Sequence, residues 1–282
     1  MRRCKRMLKL GSLELEVPAV MGILNVTPDS FSDGGKFLIR DAALRQAESM
    51  AAAGASIIDV GGESTRPGSD DVGEQEELDR VLPVLEGIVG NVDAAASIDT
   101  SKPGVMREAV AAGASMINDI RALREDGALR MAAELRVPVC LMHMQGQPRT
   151  MQERPNYDNV VAEVKDFLAG RIAACRDAGL EDELLIVDPG FGFGKTRQHN
   201  IELLANLRQL EQLGRPILAG LSRKATLGEL TGRDVDERVP ASVAAAVIAV
   251  TRGAAIVRVH DVRETVDALR IAAAVMESDK SK

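Results

Sequence analysis

Eight short apolar runs recur along the chain, and each leads into polar residues. They are Val20–Leu24, Ser56–Val60, Ala96–Ile98, Ser115–Ile117, Pro138–Met142, Leu184–Val187, Pro216–Leu221 and Ala254–Val257. All are of strand length. Helix-like segments lie between them: Asp41–Ala53, Glu74–Val89, Pro103–Ala112, Asp126–Leu135, Asp158–Ala178, Asn200–Leu213, Asp236–Arg252 and Glu264–Met276. Asp41 opens the first as a cap and Gly54 ends it, while Pro103 opens the third and Gly113 follows its end. The order helix, Gly, a few residues, apolar run then repeats. Strands separated by helices imply a parallel sheet. Eight such units in 282 residues fit one closed (β/α)₈ barrel of the TIM type, an α/β fold. A doubly wound open sheet would concentrate its ligand chemistry at one switch point, whereas here polar residues follow every run.

Those polar residues are Asn25; Glu63 with Thr65 and Arg66; Asp99; Asn118; His143; Asp188; Ser222 with Lys224; and Arg258 with His260. In a barrel they all fall at the C-terminal ends of the strands, where one active site is assembled from eight places. Two connections, Thr27–Arg40 and Gly61–Glu74, exceed the usual βα length and are rich in Gly, Pro, Ser and Asp. They are expected to act as substrate lids or clamps.

Composition narrows the reading. The formal charge is −7 and no basic stripe is visible, which argues against a duplex nucleic acid partner. An anionic small substrate stays compatible, because a few local cations outweigh a diffuse negative surface. With no Trp, one Tyr and five Phe, the core must be aliphatic, so a Phe in a Gly-rich loop stands out. Cys4, Cys140 and Cys175 show no paired spacing, which points to a reducing, cytoplasmic setting rather than a disulfide framework or a zinc ribbon. No long apolar stretch follows the basic start Met1–Met7, so a signal peptide is not expected. The most apolar segment, Ala241–Val250, spans about half a membrane and reads as a buried helix. No linker divides the chain. Residues 1–15 read as an N-terminal extension and 16–282 as a single barrel domain.

Two features invite misreading. The stretch from Gly190 to Thr196 looks like a phosphate loop, but a Walker loop needs Gly at position 189, where Pro189 stands. His143 and His260 with Asp99 and Asp188 lack the spacing of a zinc site. A magnesium ion travelling with a phosphate substrate fits better, since Mg²⁺ takes one or two protein oxygens plus phosphates and water.

Two kinds of residue meet at the expected mouth. Asp99, Asn118 and Asp188 would be costly at buried strand ends without donors. A planar ligand edge with adjacent N–H groups, such as an aminopyrimidinone, would satisfy them, and so equally would Lys and Arg inside the barrel. Arg66, Lys224, Arg258 and His260, with Asn25, suit phosphate or pyrophosphate, and Arg258 could instead lie flat on an aromatic ring. Ser222 has no base visible in sequence, so no covalent enzyme intermediate is expected.

Several segments then read as a set: Met21–Gly35 (MGILNVTPDSFSDGG), Asp59–Gly68 (DVGGESTRPG), Ser97–Pro103 (SIDTSKP), Ile117–Ile120 (INDI), Leu141–Met144 (LMHM), Asp188–Lys195 (DPGFGFGK), Gly220–Lys224 (GLSRK) and Arg258–Asp261 (RVHD). Together they closely resemble the dihydropteroate synthase family, from about position 20 onward. The resemblance implies a dimeric, cytoplasmic, magnesium-dependent transferase of folate synthesis. That family joins p-aminobenzoate to 6-hydroxymethyl-7,8-dihydropterin diphosphate and releases pyrophosphate. By motif, Asp99, Asn118, Asp188 and Lys224 would hold the pterin, Arg258 would stack on it, and Met142 would join the substrate contacts. Asn25 would help bind magnesium. Arg66, Arg258 and His260 would receive the diphosphate, and Thr65, Pro67, Phe193 and Ser222 would line the aminobenzoate site. Lys224, Arg258 and His260 would carry the catalysis. A pterin-binding methyltransferase would share the acidic pocket without needing the SRK and RVH cations or the STRPG loop. A non-catalytic pterin-binding paralogue would share the pocket but have lost turnover.

Overall fold

The computed structural model describes residues 7–27, 36–64, 71–147 and 150–279. Eight parallel strands close into a barrel: β3 (Ala19–Asn25), β4 (Ile57–Gly61), β5 (Ala95–Asp99), β6 (Met116–Asp119), β7 (Val139–Met142), β8 (Leu185–Asp188), β9 (Ile217–Ala219) and β10 (Ala254–Val259), with β10 pairing back onto β3. Each overlaps one of the apolar runs. Helices return the chain between them: α1 (Lys36–Ala52), α2 (Glu74–Asn91), α3 (Pro103–Ala111), α4 (Ala128–Leu135), α5 (Val160–Asp177), α6 (Arg197–Ala205), α8 (Val239–Thr251) and α9 (Val262–Asp279). Pro103 occupies the first turn of α3. The Asn159 side chain caps α5 by accepting from Ala162 N–H.

A short additional helix, α7 (Ala225–Thr231), separates β9 from α8. The segment Asn200–Leu213, expected as one helix, divides into α6 and a 3₁₀ stretch, Leu207–Leu213.

Before the barrel, β1 (Met7–Leu10) and β2 (Leu13–Glu16) form an antiparallel hairpin. Its Leu10 and Leu15 are buried in one cluster with Ala19, Met21, Ile57, Met116, Cys140, Ile186, Leu218 and Ile256. The hairpin therefore plugs the barrel floor, and residues 7–15 of the expected extension belong to the barrel's body.

Strand alternation explains the rest. In β4, Ile58 and Val60 face the helix layer, while Ile57 fills the floor and Asp59 sits one step above it. The register aligns Asp59 with Ser97, Gly61 with Asp99, and Asp99 with Asn118. Met142 aligns with Asp188. Apolar residues thus fill the lower barrel and polar ones the upper rim.

Cys140 and Cys175 are buried free thiols, and Cys4 lies outside the described residues. Among the described residues no helix is long and apolar enough to cross a membrane.

Candidate active site

Arg258, on β10, is the hub of the rim. Its Nε donates to Asp59 Oδ2 at 2.6 Å and its Nη2 to Asp99 Oδ2 at 2.7 Å. Asn118 Nδ2 also donates to Asp59 Oδ2, at 3.0 Å. Four strands, β10, β4, β5 and β6, are therefore tied together by one guanidinium and one amide. Burial would lower the Arg258 pKa, but Asp59 and Asp99 outweigh it and hold it above its usual value. Asp99 moves the other way. Burial drives it up to about 7, with Asp59, Glu77 and Asp119 adding repulsion against the pull of Arg258.

Across the mouth, Asp188 ends β8. Burial raises its pKa, opposed first by Lys224 and then by the Gly190 N–H, which donates to Asp188 Oδ1 at 2.7 Å. Lys224 Nζ donates to the Phe191 carbonyl and lies 4.4 Å from the centre of the Phe193 ring. Burial lowers Lys224 to about 8.

The β9 and β10 loops are fastened to each other. Ser222 Oγ accepts from His260 N–H at 3.1 Å and lies 3.0 Å from His260 Nδ1. Arg223, held in a left-handed conformation at φ +57°, makes a two-pronged ion pair with Asp261, at 3.1 and 2.5 Å. A histidine does therefore stand beside Ser222, contrary to the sequence expectation. Asp261 is engaged by Arg223, and the Ser222–His260 contact joins the β9 loop to the β10 loop.

Asn25, at the end of β3, flanks the same mouth. Gly61 stands between it and Asp99: a Cβ on Gly61 would lie 3.7 Å from Asn25 Oδ1 and 3.8 Å from Asp99 Oδ2. No group of three or more His, Cys, Asp or Glu suited to a metal occurs among the described residues. A single amide oxygen beside a carboxylate fits a cation that arrives with phosphates, not a protein cage.

Thr65, Arg66 and Pro67 lie outside the described residues, but both stems of their loop are tied down. Glu63 Oε2 pairs with Lys102 Nζ at 2.5 Å, and Glu63 Oε1 accepts from Val72 N–H at 3.2 Å. Lys102 also pairs with the buried Glu77 at 2.5 Å, and Arg80 donates to the Gly62 carbonyl at 2.7 Å.

The residues from 21 to 260 match the family model described as pterin binding enzyme. Dihydropteroate synthase of Haemophilus influenzae is 56% identical over 259 residues, covering 92% of this chain and 94% of that protein. Two solved structures of the Xanthomonas albilineans dihydropteroate synthase superpose on this chain, each covering 96% of it and 98–99% of theirs. The one with 4-aminobenzoic acid gives a TM-score of 0.90 at 53% identity; the one with 7,8-dihydropteroate gives 0.87 at 51%. The chain belongs to the dihydropteroate synthase family.

For a synthase of this kind, the rim gathers Asn25, Asp99, Asn118, Met142, Asp188, Phe193, Ser222, Lys224, Arg258 and His260 at or beyond the ends of every barrel strand but β4. His143, which also follows a strand, is bound to Lys195 instead: its Nδ1 lies 2.8 Å from Lys195 Nζ, and burial beside that lysine lowers its pKa to about 2. Its partner Lys195 is also buried, which explains why the phosphate-loop look of DPGFGFGK is empty: the lysine faces inward. Asp59 is the synthase rim residue that inspection of strand ends missed. It sits inside an otherwise apolar strand, fully buried, and a charge among Ile57, Ile58 and Val60 was the available signal.

Proposed function

We propose that this synthase condenses p-aminobenzoate with 6-hydroxymethyl-7,8-dihydropterin diphosphate and divides the work among the rim residues as follows. The carrying observation is that Asp59, Asp99, Asn118 and Asp188 converge with Arg258 and Lys224 in one barrel mouth. Asp99, Asn118 and Asp188 accept and donate along the pterin's hydrogen-bonding edge, with Met142 and Lys224 completing the pocket. Arg258 lies against the pterin face, its guanidinium plane set by the two carboxylates that grip it.

Catalysis asks for no strong base. The methylene C–O bond breaks, its electron pair leaves with the diphosphate, and the pterin ring stabilises the carbon cation. The neutral aromatic amine then attacks that carbon and sheds a proton to solvent. Arg258 and His260, with Arg66, stabilise the departing charge. Phe193, Ser222, Thr65 and Pro67 hold the second substrate at the distance that attack requires. When bound, Mg²⁺ would neutralise diphosphate charge, and Asn25 would offer it one amide oxygen. The expected lid Thr27–Arg40 ends in the first turn of α1, which begins at Lys36; its residues 28–35, and residues 65–70 of Gly61–Glu74, lie outside the described residues, and these two connections would close over the diphosphate and complete the second subsite.

The working unit is a cytoplasmic homodimer. Ile248 on α8 and Ile271 and Val275 on α9 are exposed, and the two helices are neighbours in the fold. They supply an apolar face of the kind that subunit contacts cover. The pABA site is the place a sulfonamide would occupy.

Chromatographic detection of 7,8-dihydropteroate from the two substrates tests the reaction. Replacing Arg258 with Ala tests the assignment: both pterin affinity and turnover should fall, and normal turnover would remove Arg258 from the site.

A further inference from the structure

The mechanism above gives no task to the buried Lys195. Lys195 is 3% exposed, yet its Nζ has an acceptor for each of its protons. It lies 2.8 Å from His143 Nδ1, 2.9 Å from the Gly190 carbonyl oxygen and 3.0 Å from that of Phe193. His143 is neutral, being held down to about 2, so its ring can offer a lone pair. Burial drives Lys195 itself well below its usual value. In either protonation state it keeps two N–H donors for the two carbonyls.

Gly190 and Phe193 are the ends of one turn, closed by Phe193 N–H donating to the Gly190 carbonyl at 3.1 Å. The turn is pressed against the end of β7 at distances only glycine allows. A Cβ on Gly190 would lie 1.9 Å from the His143 carbonyl oxygen, and one on Gly194 2.4 Å from that of Gln145, both at positive φ. Its outer side is tied as well: Tyr157 donates to the Gly194 carbonyl at 2.8 Å, and Gly192 N–H to Asn200 Oδ1 at 2.7 Å. On the side facing the mouth, the same turn presents the Phe191 carbonyl and the Phe193 ring to Lys224.

We infer that Lys195, with His143, is a positioning residue for the synthase reaction, fixing the Gly190–Gly194 turn so that the Phe193 ring meets the second substrate. Hydrogen bonds to two carbonyls set the tilt of their peptide planes, which an apolar side chain of the same size would leave free. The inference rests on the assignment of Phe193 to the aminobenzoate side.

A double-mutant cycle on the full-length enzyme tests it. Lys195→Met should raise KM for p-aminobenzoate by about tenfold, roughly the size of a single coupled contact. In the Phe193→Ala background the same change should add nothing, because the ring it positions is gone. If the two effects on KM multiply, or if Lys195→Met lowers only the Tm, Lys195 is structural and the inference falls while the Phe193 assignment stands. If Phe193→Ala itself leaves that KM unchanged, the assignment falls and the inference with it. Should Lys195→Met fail to fold, Lys195→Gln carries the same cycle: its amide keeps the site polar, and its nitrogen stops about one bond short of both carbonyls.

Discussion

Arg258 is gripped by Asp59 through an Nε–Oδ2 contact of 2.6 Å, and that carboxylate is wholly buried within strand β4. The second oxygen of Asp59 has no hydrogen-bond partner among the described residues. Asp59 therefore exists to hold Arg258 and, through the same oxygen, Asn118. Asp59→Ala would leave a largely buried guanidinium with only Asp99, and breaking such a pair costs about 3–5 kcal/mol. Urea denaturation should report a loss of that order, together with a large fall in kcat. An unchanged midpoint would show that the pair is not what fixes Arg258.

The pH dependence of pterin binding follows from the two shifted groups. Asp99 accepts from the ligand only when ionised, and its pKa is raised to about 7, so affinity should rise as pH passes through that value. Lys224 donates only when protonated, and its pKa is lowered to about 8, so affinity should fall above that. Fluorescence titration of a dihydropterin should give a narrow bell, with Lys224→Met losing the alkaline limb and Asp99→Asn the acid one. A flat profile between pH 6 and 9, in roughly the range where such groups titrate, would contradict both roles.

Stability carries the same signature with the opposite sense for Asp99. Its folded pKa lies above the unfolded value of 3.8. The folded state binds the proton more tightly, so stability should decline as pH rises from about 4 to 7. Asp99→Asn should flatten that decline, measured as ΔG of unfolding across the window. A decline of the same slope in the variant would assign it to other groups.

Lys102 joins Glu63 at the stem of the Thr65–Arg66–Pro67 loop to the buried Glu77. Burial raises the Glu77 pKa, and Lys102 is what opposes that rise. Lys102→Met should therefore cost about 3 kcal/mol at pH 8 and less at pH 5, where Glu77 can take a proton. The same variant should raise KM for both substrates, since the loop stem loses its anchor. Equal destabilisation at both pH values would exclude Glu77 as the cause.

Ile271 is 70% exposed on α9. Ile271→Glu should leave the Tm within a few degrees and convert a dimer into monomers by sedimentation equilibrium, because a charge at a subunit contact is desolvated without a partner. A monomeric wild-type chain would remove the dimer from the account.

The barrel was legible because eight apolar runs alternate with helix-like segments, several of them followed by glycine, a periodicity that packing enforces. Rim positions such as Asp188 and Arg258 were legible because the barrel's geometry sends strand ends to one face. What escaped notice obeys different rules. Asp59 lies within a strand, not after it, and its charge is satisfied by a partner 199 residues away. Lys195 resembled a phosphate ligand, and only the folded turn reveals that its acceptors are backbone carbonyls. Helix α7 is a 7-residue element, too short for periodicity to announce. The β1–β2 hairpin hid in a segment whose apolar residues have no meaning until the barrel floor they fill is known.

The most direct measurement is pyrophosphate release from the dihydropterin diphosphate in the presence of Mg²⁺, with and without p-aminobenzoate. Release that depends on p-aminobenzoate and matches dihydropteroate formed, mole for mole, is the result expected. Tight pterin binding with no release under either condition would contradict the assignment of Arg258, His260 and Lys224 to catalysis.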